Sequence, residues 1–413
     1  MQIYLVGGAV RDSLLNYPSS ENDWVVVGAT PKQMTDQGFK PVGQDFPVFI
    51  HPHTSEEYAL ARTERKSGQG YKGFEFYAST DVSLEEDLIR RDLTINAIAQ
   101  DNDGNIIDPY GGQKDLEKKL LRHVSDAFTE DPLRVLRVAR FAARYHHLGF
   151  SIANETLDLM KSIVADGEMS FLVAERVWKE TSRALSEQSP QVFIKVLRDC
   201  GALNALFPEI DGLFGVPQRA DYHPEVDTGT HTLMALEQSV KLSDSNAVRF
   251  SVLVHDLGKA LTPDSVLPSH TGHEKSGLPL VKALCDRLTV PNSHRQLAMA
   301  VTEYHLHSHK ARELKPATLL MLFQNIGALR DKQRLDDFLY CCEADARGRT
   351  GFEDITYHAR DYLMAAFSTV QTVDISDLVA NGVKGADIGR QLKQRQIAQL
   401  TTFKLNYQEN IAP

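Results

Sequence analysis

The spacing of apolar and polar positions changes character about a third of the way along the chain. Up to residue 125, short runs with β-type alternation are punctuated by glycine; beyond it, apolar residues recur at helical spacing and strand-like alternation almost disappears. The pattern predicts strands over residues 2–6, 23–27 and 57–63 and a helix over 10–15. A capped helical stretch over 81–99 leads into a further strand or helix, with turn chemistry at 108–112 and a short helix over 114–121. Helices then follow through 131–185, 191–203, 231–241, 246–257, 277–288 and 294–307. Breaks fall near 207–224 and 259–273, where Pro, Gly, Ser and Asp cluster, and the segment after Pro316 is again helical. The expected fold class is α+β, a mixed-sheet head followed by an all-α remainder, with neither internal repeats nor low-complexity tracts.

The longest apolar runs, 250–254 and 319–323, are core-sized, well short of the roughly 18–20 residues of a membrane helix. The first residues lack a basic segment and meet Gly7-Gly8 too early for a signal peptide. Cys200, Cys285, Cys341 and Cys342 have neither CxxC spacing nor the density of a disulfide scaffold. A cytoplasmic protein with no membrane partner is expected. The 413 residues, 24% charged and 42% apolar, exclude a disordered chain, a coiled coil or a collagen-like fibre. They allow two to four domains at about 100–200 residues each.

A net charge of −10 argues at first against a nucleic-acid partner. The charge is unevenly placed, however: residues 110–145 hold eight Lys and Arg against five Asp and Glu, so a confined basic surface is available.

Chemistry concentrates in two places. Gly7-Gly8-Ala9-Val10-Arg11-Asp12 joins a strand to a helix, leaving backbone N–H groups free for an anion. Such a turn alone is more often structural. What adds weight is Glu21-Asn22-Asp23 before the apolar run 24–27, since carboxylates two apart on a strand share one face and suit magnesium. A helix over 131–144 would carry Arg137, Arg140 and Arg144 within a narrow arc, with Arg134 to one side, an arginine stripe suited to phosphate. Further along, nine of the 15 histidines lie between residues 223 and 309. Among them His255-Asp256 closes an apolar helical run ahead of Leu257-Gly258-Lys259, and imidazole-rich sites suit transition metals better than magnesium.

Together the head segments resemble the class II tRNA nucleotidyltransferases, the CCA-adding enzymes of the polymerase-β-like superfamily. The Gly7 to Asp12 segment, acid-x-acid at Glu21 and Asp23, Arg90-Arg91-Asp92, Asp108-Pro109-Tyr110-Gly111-Gly112 and Glu130-Asp131-Pro132-Leu133-Arg134 match its motifs in order. The resemblance implies a polymerase-β-like head and addition of the 3′-terminal CCA of tRNA from CTP and ATP with release of pyrophosphate. It implies Mg2+ on Glu21 and Asp23, with Glu57 as a candidate third carboxylate. Gly8, Arg11, Arg91, Arg137 and Arg140 would hold the nucleotide, and Asp131 and Arg134 would read its base. Where the family has aspartate this chain has Glu21, one methylene longer. The stretch 65–73 reads either as a loop that helps the site change from C to A addition or as a surface hairpin.

The His-Asp-Leu-Gly-Lys run resembles the HD phosphohydrolases, which implies metal ligation by His231, His255, Asp256 and Asp345. His255 and Asp256 would then be catalytic, and His273 and His305 either further ligands, phosphate contacts or plain surface residues. The implied metal is nickel, with cobalt or manganese as alternatives, and the implied activities are 2′,3′-cyclic phosphodiesterase, 2′-nucleotidase and phosphatase. A subset of bacterial CCA-adding enzymes carries such a domain. The expected organisation is a head over 1–125, a helical neck and body over 126–222, an HD domain over 223–330 and a C-terminal helical region over 331–413, as monomer or homodimer. Two alternatives are a bacterial poly(A) polymerase, against which the HD segment and the few basic residues at the chain end weigh, and an HD nucleotide hydrolase with a degenerate head.

Overall fold

The computed structural model describes residues 1–18, 22–42, 48–66, 74–77 and 79–409. They form two compact units, Met1–Leu206 and Phe207–Pro413. Among the described residues, no helix is long and apolar enough to cross a membrane.

The first unit starts with β1 (Gln2–Val6), α1 (Gly8–Leu14), β2 (Asp23–Val27), α2 (Pro31–Asp36), β3 (Lys40–Val42), β4 (Val48–Ile50) and β5 (Glu57–Leu60). After β6 (Thr63–Lys66) and β7 (Phe74–Tyr77) come α3 (Leu84–Ile89), β8 (Ala99–Gln100), β9 (Ile106–Ile107) and α4 (Gly112–Glu117). Among the described residues, seven strands build one mixed sheet in the order β3-β4-β5-β2-β1-β8-β9. Within it β2 and β5 run parallel, whereas β1 is antiparallel to both β2 and β8. The run Trp24 to Val27 is apolar at every position because both faces of β2 are covered. Val25 packs with Val6, Leu88 and Ala99 on one face, and Val26 with Met34, Phe49 and Leu60 on the other.

Two expectations change here, and a third falls largely outside the described residues. The strand expected over 57–63 divides: β5 stays in the main sheet, while β6 pairs with β7 alone. Of the 65–73 stretch, residues 67–73 lie outside the described residues. The helical stretch expected over 81–99 ends at Ile89, then re-forms as a single 3-10 turn over Thr94–Asn96 before β8. Its cap is as the sequence requires, with Ser83 and Glu86 exchanging side-chain and backbone bonds.

Helices then take over: α5 (Leu133–Tyr145), α6 (Asn154–Ala165), α7 (Ala174–Leu185), α8 (Pro190–Asp199) and α9 (Ala202–Leu206). The single helix expected over 191–203 breaks into α8 and α9 because Gly201 adopts a left-handed φ of 83°. Buried Leu136, Ala139 and Ala143 line the apolar side of α5.

The regular elements described in the second unit are helices: α10 (Pro208–Asp211), α11 (Thr228–Leu242), α12 (Asn246–Val254), α13 (His273–Arg287), α14 (Asn292–His309), α15 (Pro316–Asn325), α16 (Gln333–Arg347), α17 (His358–Gln371), α18 (Ser376–Ala380) and α19 (Ala386–Glu409). Its core runs from Ala235, Val252 and Val301 to Phe323, Phe338, Phe367 and Leu400. A 3-10 turn, Leu257–Leu261, follows α12 and packs on α13 through Gly258, where a Cβ would lie 2.0 Å from the His273 carbonyl. Only glycine permits that approach.

Candidate functional sites

In the first unit the sheet register brings the expected phosphate turn and carboxylates together. Val6, the last residue of β1, pairs with Asp23, and Asp23 pairs with Glu57 on the far side. Register partners on neighbouring strands stand on one face, about 4.8 Å apart, so the two carboxylates lie side by side next to the Gly7-Gly8 turn. Trp24 and Tyr58, one residue on, stack at 5.5 Å on the opposite face. Glu21 lies outside the described residues. Gly7 has φ 67°, and a Cβ there would meet Arg91 Nη1 at 2.9 Å, so the turn needs glycine for conformation and for space.

These groups open onto a cleft of about 920 Å3 within this unit, lined by Gly8, Arg11, Asp23, Glu57, Arg91, Asp131, Arg134, Arg137 and Arg140 among others. The predicted residues therefore converge, apart from the undescribed Glu21. Arg91 Nε is buried without a hydrogen-bond partner, and Arg91 Nη2 reaches Asp87 at 3.2 Å.

The arginine stripe of α5 is present but differs from an exposed basic face. Arg134 and Arg140 are buried, and acids from other elements hold the stripe. Arg137 donates to Asp92 at 2.7 Å, Arg140 to Glu180 at 2.7 Å and Arg144 to Asp12 at 3.2 Å. Arg134 donates to the carbonyls of Ala127 and Arg90. Asp12 also accepts from Arg11 and the Tyr145 hydroxyl, and Arg11 bonds Asn96. Burial alone would raise the Asp92 carboxyl, but the Arg137 guanidinium and the Asn96 amide outweigh it and hold it well below the usual carboxylate range. These pairs fix the guanidinium planes at the cleft without needing a ligand.

Sequence reasoning missed Arg176 and Glu180, both on α7. Arg176 binds Asp131 at 2.8 Å, while Asp131 also accepts from the Leu133 N–H at the start of α5. The two α7 residues are four apart and so share a helix face, which is a signal; their partners lie some 40 residues away, which sequence spacing does not reveal.

In the second unit, His231 (α11), His255 and Asp256 (after α12) and Asp345 (α16) come together with His273 (α13) and His305 (α14), all buried. His231 Nε2 lies 3.0 Å from Asp345 Oδ1, and His255 Nε2 lies 3.2 Å from Asp256 Oδ2 and 3.7 Å from Asp345 Oδ1. On the other side of Asp256, His273 Nε2 approaches Oδ1 at 3.2 Å and His305 Nε2 at 3.8 Å. His231, His255 and Asp256 form one group able to hold an ion, His255, His305 and Asp345 another, and Asp256, His273 and His305 a third. Lys259 Nζ reaches both Asp256 and Gln218 at 2.6 Å.

The orientation of the rings tests whether a metal fits. The Nδ1 atoms of His231, His255, His273 and His305 lie 2.7–3.0 Å from the carbonyls of Gly348, Val252, His270 and Val301. Nδ1–H donation to those carbonyls directs each Nε2 inward, the atom a metal-bound imidazole uses once any proton on it has left. His255 Nε2 and both Asp256 oxygens are buried, and Asp256 gathers Lys259, His255 and His273 around it. Burial lowers the His305 pKa to about 3, with the nearby His255 charge adding to the effect, so this ring is neutral. Burial opposes the charged form of His255, yet the Asp256 and Asp345 carboxylates win and hold it above the usual imidazole range. The donor set fits a transition metal.

Comparison with known proteins follows the same division. The family model for the poly(A) polymerase head domain matches residues 3–122, one for a probable RNA- and SrmB-binding site of polymerase A matches 149–213, and the HD domain model matches 228–346. A multifunctional CCA protein of Teredinibacter turnerae is 58% identical over 404 residues, covering 98% of each chain. One of Acinetobacter baumannii is 60% identical over 408 residues, covering 99% of each. A solved CCA-adding enzyme of Thermotoga maritima in complex with tRNA shares the fold, with a TM-score of 0.63 at 18% identity over 97% of this chain and 87% of that one.

Proposed function

We propose that this chain, which belongs to the multifunctional CCA protein family, builds and repairs the 3′-terminal CCA of tRNA from CTP and ATP, and that its HD domain hydrolyses phosphoesters. The observation that carries the first activity is the register row Val6, Asp23, Glu57, which sets a backbone anion site beside paired carboxylates at the mouth of an arginine-lined cleft. Such a row serves a reaction in which a 3′-hydroxyl attacks an α-phosphate and pyrophosphate leaves.

In this reading Gly8, Arg11, Arg91, Arg137 and Arg140 hold the triphosphate, and the Asp92 and Glu180 partners keep the last two guanidiniums aimed. Asp131 and Arg134 face the Watson–Crick edge of the incoming base: a carboxylate accepts from an exocyclic amine, and a guanidinium donates to ring and carbonyl acceptors. Asp23, Glu57 and Glu21 would hold Mg2+, which when bound stabilises charge developing at the reacting oxygens. Two adjacent carboxylates offer the hard oxygen donors that ion takes.

In the HD domain His231, His255, Asp256 and Asp345 would hold a transition metal, nickel first and cobalt or manganese as alternatives. The ion would supply Lewis acidity and an activated water. His273 and His305 share Asp256 as further donors. The substrates in this reading are 2′,3′-cyclic and 2′-phosphates and simple phosphomonoesters, whose removal from a damaged tRNA end would restore the attacking hydroxyl. We read the chain as head 1–125, neck and body 126–222, HD domain 223–330 with Asp345 reaching in from the 331–413 region, and as a cytoplasmic monomer or homodimer.

The test is incubation of purified protein with tRNA ending before CCA, offered CTP alone, ATP alone, then both. Two additions with CTP and one further A with both are expected. Unlimited A addition would instead favour poly(A) synthesis, and no incorporation would sink both. Hydrolysis of a 2′,3′-cyclic nucleotide by metal-stripped protein, restored by Ni2+, tests the HD domain.

A further inference from the structure

Helix α14 ends on a histidine one turn beyond His305, to which the reading above gives no role. His309 Nε2 lies 2.7 Å from Asp345 Oδ2, whereas the other oxygen, Oδ1, faces His231 at 3.0 Å. On its far side, His309 Nδ1 lies 3.0 Å from the Tyr357 hydroxyl, which in turn lies 2.8 Å from Ser308 Oγ. Tyr357 caps the start of α17, so α14, α16 and α17 meet through this chain of polar contacts. Ser308, Tyr357 and Asp345 are buried. Burial, reinforced by Cys342 and nearby carboxylates, holds the Tyr357 hydroxyl well above its usual range, so it remains a donor.

A hydroxyl donating to Nδ1 selects the tautomer with its proton on Nε2, and that N–H has Asp345 Oδ2 as its acceptor. The contact matters because the terminal torsion of an aspartate is broad. Unheld, Asp345 would turn either oxygen, or both, toward the imidazoles. Outer partners of this kind orient a ligand before the metal arrives.

We propose that His309, seated against Tyr357, is a positioning residue for the HD metal site, holding Asp345 Oδ2 so that Oδ1 alone is presented to the ion. This rests on the reading of His231, His255, Asp256 and Asp345 as metal ligands.

The test is calorimetric titration of the metal-stripped full chain with Ni2+, alongside hydrolysis of a 2′,3′-cyclic nucleotide. His309→Ala should weaken nickel binding about 10- to 100-fold, with hydrolysis largely recovered at saturating nickel. His309→Gln, whose amide can donate to the same oxygen, should recover most of the affinity. Tyr357→Phe should lose about threefold. Wild-type nickel affinity in a His309→Ala protein that unfolds at the normal temperature overturns the proposal. If that variant does not fold, Tyr357→Phe decides, since undiminished affinity there also overturns it. His255→Ala separates the two levels. Should His255→Ala bind nickel normally, the ligand assignment fails and positioning falls with it; should His255→Ala lose nickel while His309→Ala keeps it, positioning alone fails.

Discussion

Asp23 and Glu57 are register partners on adjacent parallel strands, with their carboxylates on one face beside the Gly7-Gly8 turn. Two like charges so placed repel unless a cation lies between them. Asp23→Ala is therefore expected to cut incorporation of labelled CTP into tRNA lacking CCA by at least about a hundredfold. Glu57→Gln, which keeps the shape, should lose about tenfold and respond to raised Mg2+. Undiminished incorporation in Asp23→Ala would remove the carboxylate row from the chemistry.

Arg176 holds the Asp131 carboxylate at 2.8 Å. If Asp131 reads the base, freeing it should harm discrimination more than turnover. Arg176→Ala is expected to lower the preference for CTP over UTP by about tenfold, within the about 1–3 kcal/mol that a good base contact supplies, with a smaller change in kcat. Steady-state competition between the two nucleotides measures this. A uniform loss with all nucleotides would make Arg176 merely structural.

The two candidate sites lie in separate units, so the activities proposed for them should separate by mutation. His255→Ala and Asp256→Ala are expected to abolish nickel-dependent phosphoester hydrolysis while CCA addition persists in the same preparations. Because Asp256 and Asp345 hold the His255 pKa up at about 10 despite its burial, nickel uptake should release a proton, and affinity should rise with pH up to about that value. Titrations in buffers of different ionisation heat count the protons. Zero release would contradict the charged His255.

Asp92 is buried, and the Arg137 guanidinium overcomes the cost of that burial to depress its pKa. A depressed carboxylate contributes stability that is fully present above the unfolded pKa of about 4 and is lost as pH falls toward the folded value. Asp92→Asn should therefore unfold at a lower temperature at neutral pH yet show a shallower decline from about pH 4 to 2. Thermal unfolding of both proteins across that range decides, and parallel acid limbs would overturn the argument.

Gly258 touches α13 where a Cβ would lie 2.0 Å from the His273 carbonyl and 2.7 Å from Gly277 N. Gly258→Ala must push the helix off the His255-Asp256 turn, at about 1–3 kcal/mol for overpacking, and displace His273 from Asp256. A lower melting temperature together with weaker nickel binding is expected. Unchanged values for both would show that α13 yields freely.

Much of this protein is local and was therefore legible. The Gly7-Gly8 turn, the carboxylate that opens β2, the arginine spacing of α5 and the His255-Asp256 pair are written in neighbouring residues, and the helix periods follow from burial of one face. Glu57 was marked from its strand, yet nothing local says that it lies beside Asp23; that is a property of β2 and β5 pairing in parallel. The stripe of Arg137, Arg140 and Arg144 likewise reads as suited to phosphate without any sign of the acids that hold it, because Asp92, Glu180 and Asp12 come from other elements.

The same divide explains the second site. That histidines crowd one segment is plain from the order of residues. That order could not say that His270 bonds Thr262 and the Pro217 carbonyl, or that His294 turns to Asn246, while His231, His255, His273 and His305 point inward. That sorting depends on which carbonyl each Nδ1 meets, and on Asp345 arriving from α16 with His309 against its outer oxygen. Spacing along a helix dictates which face a residue occupies; only the packing of helices distant in sequence decides what that face meets.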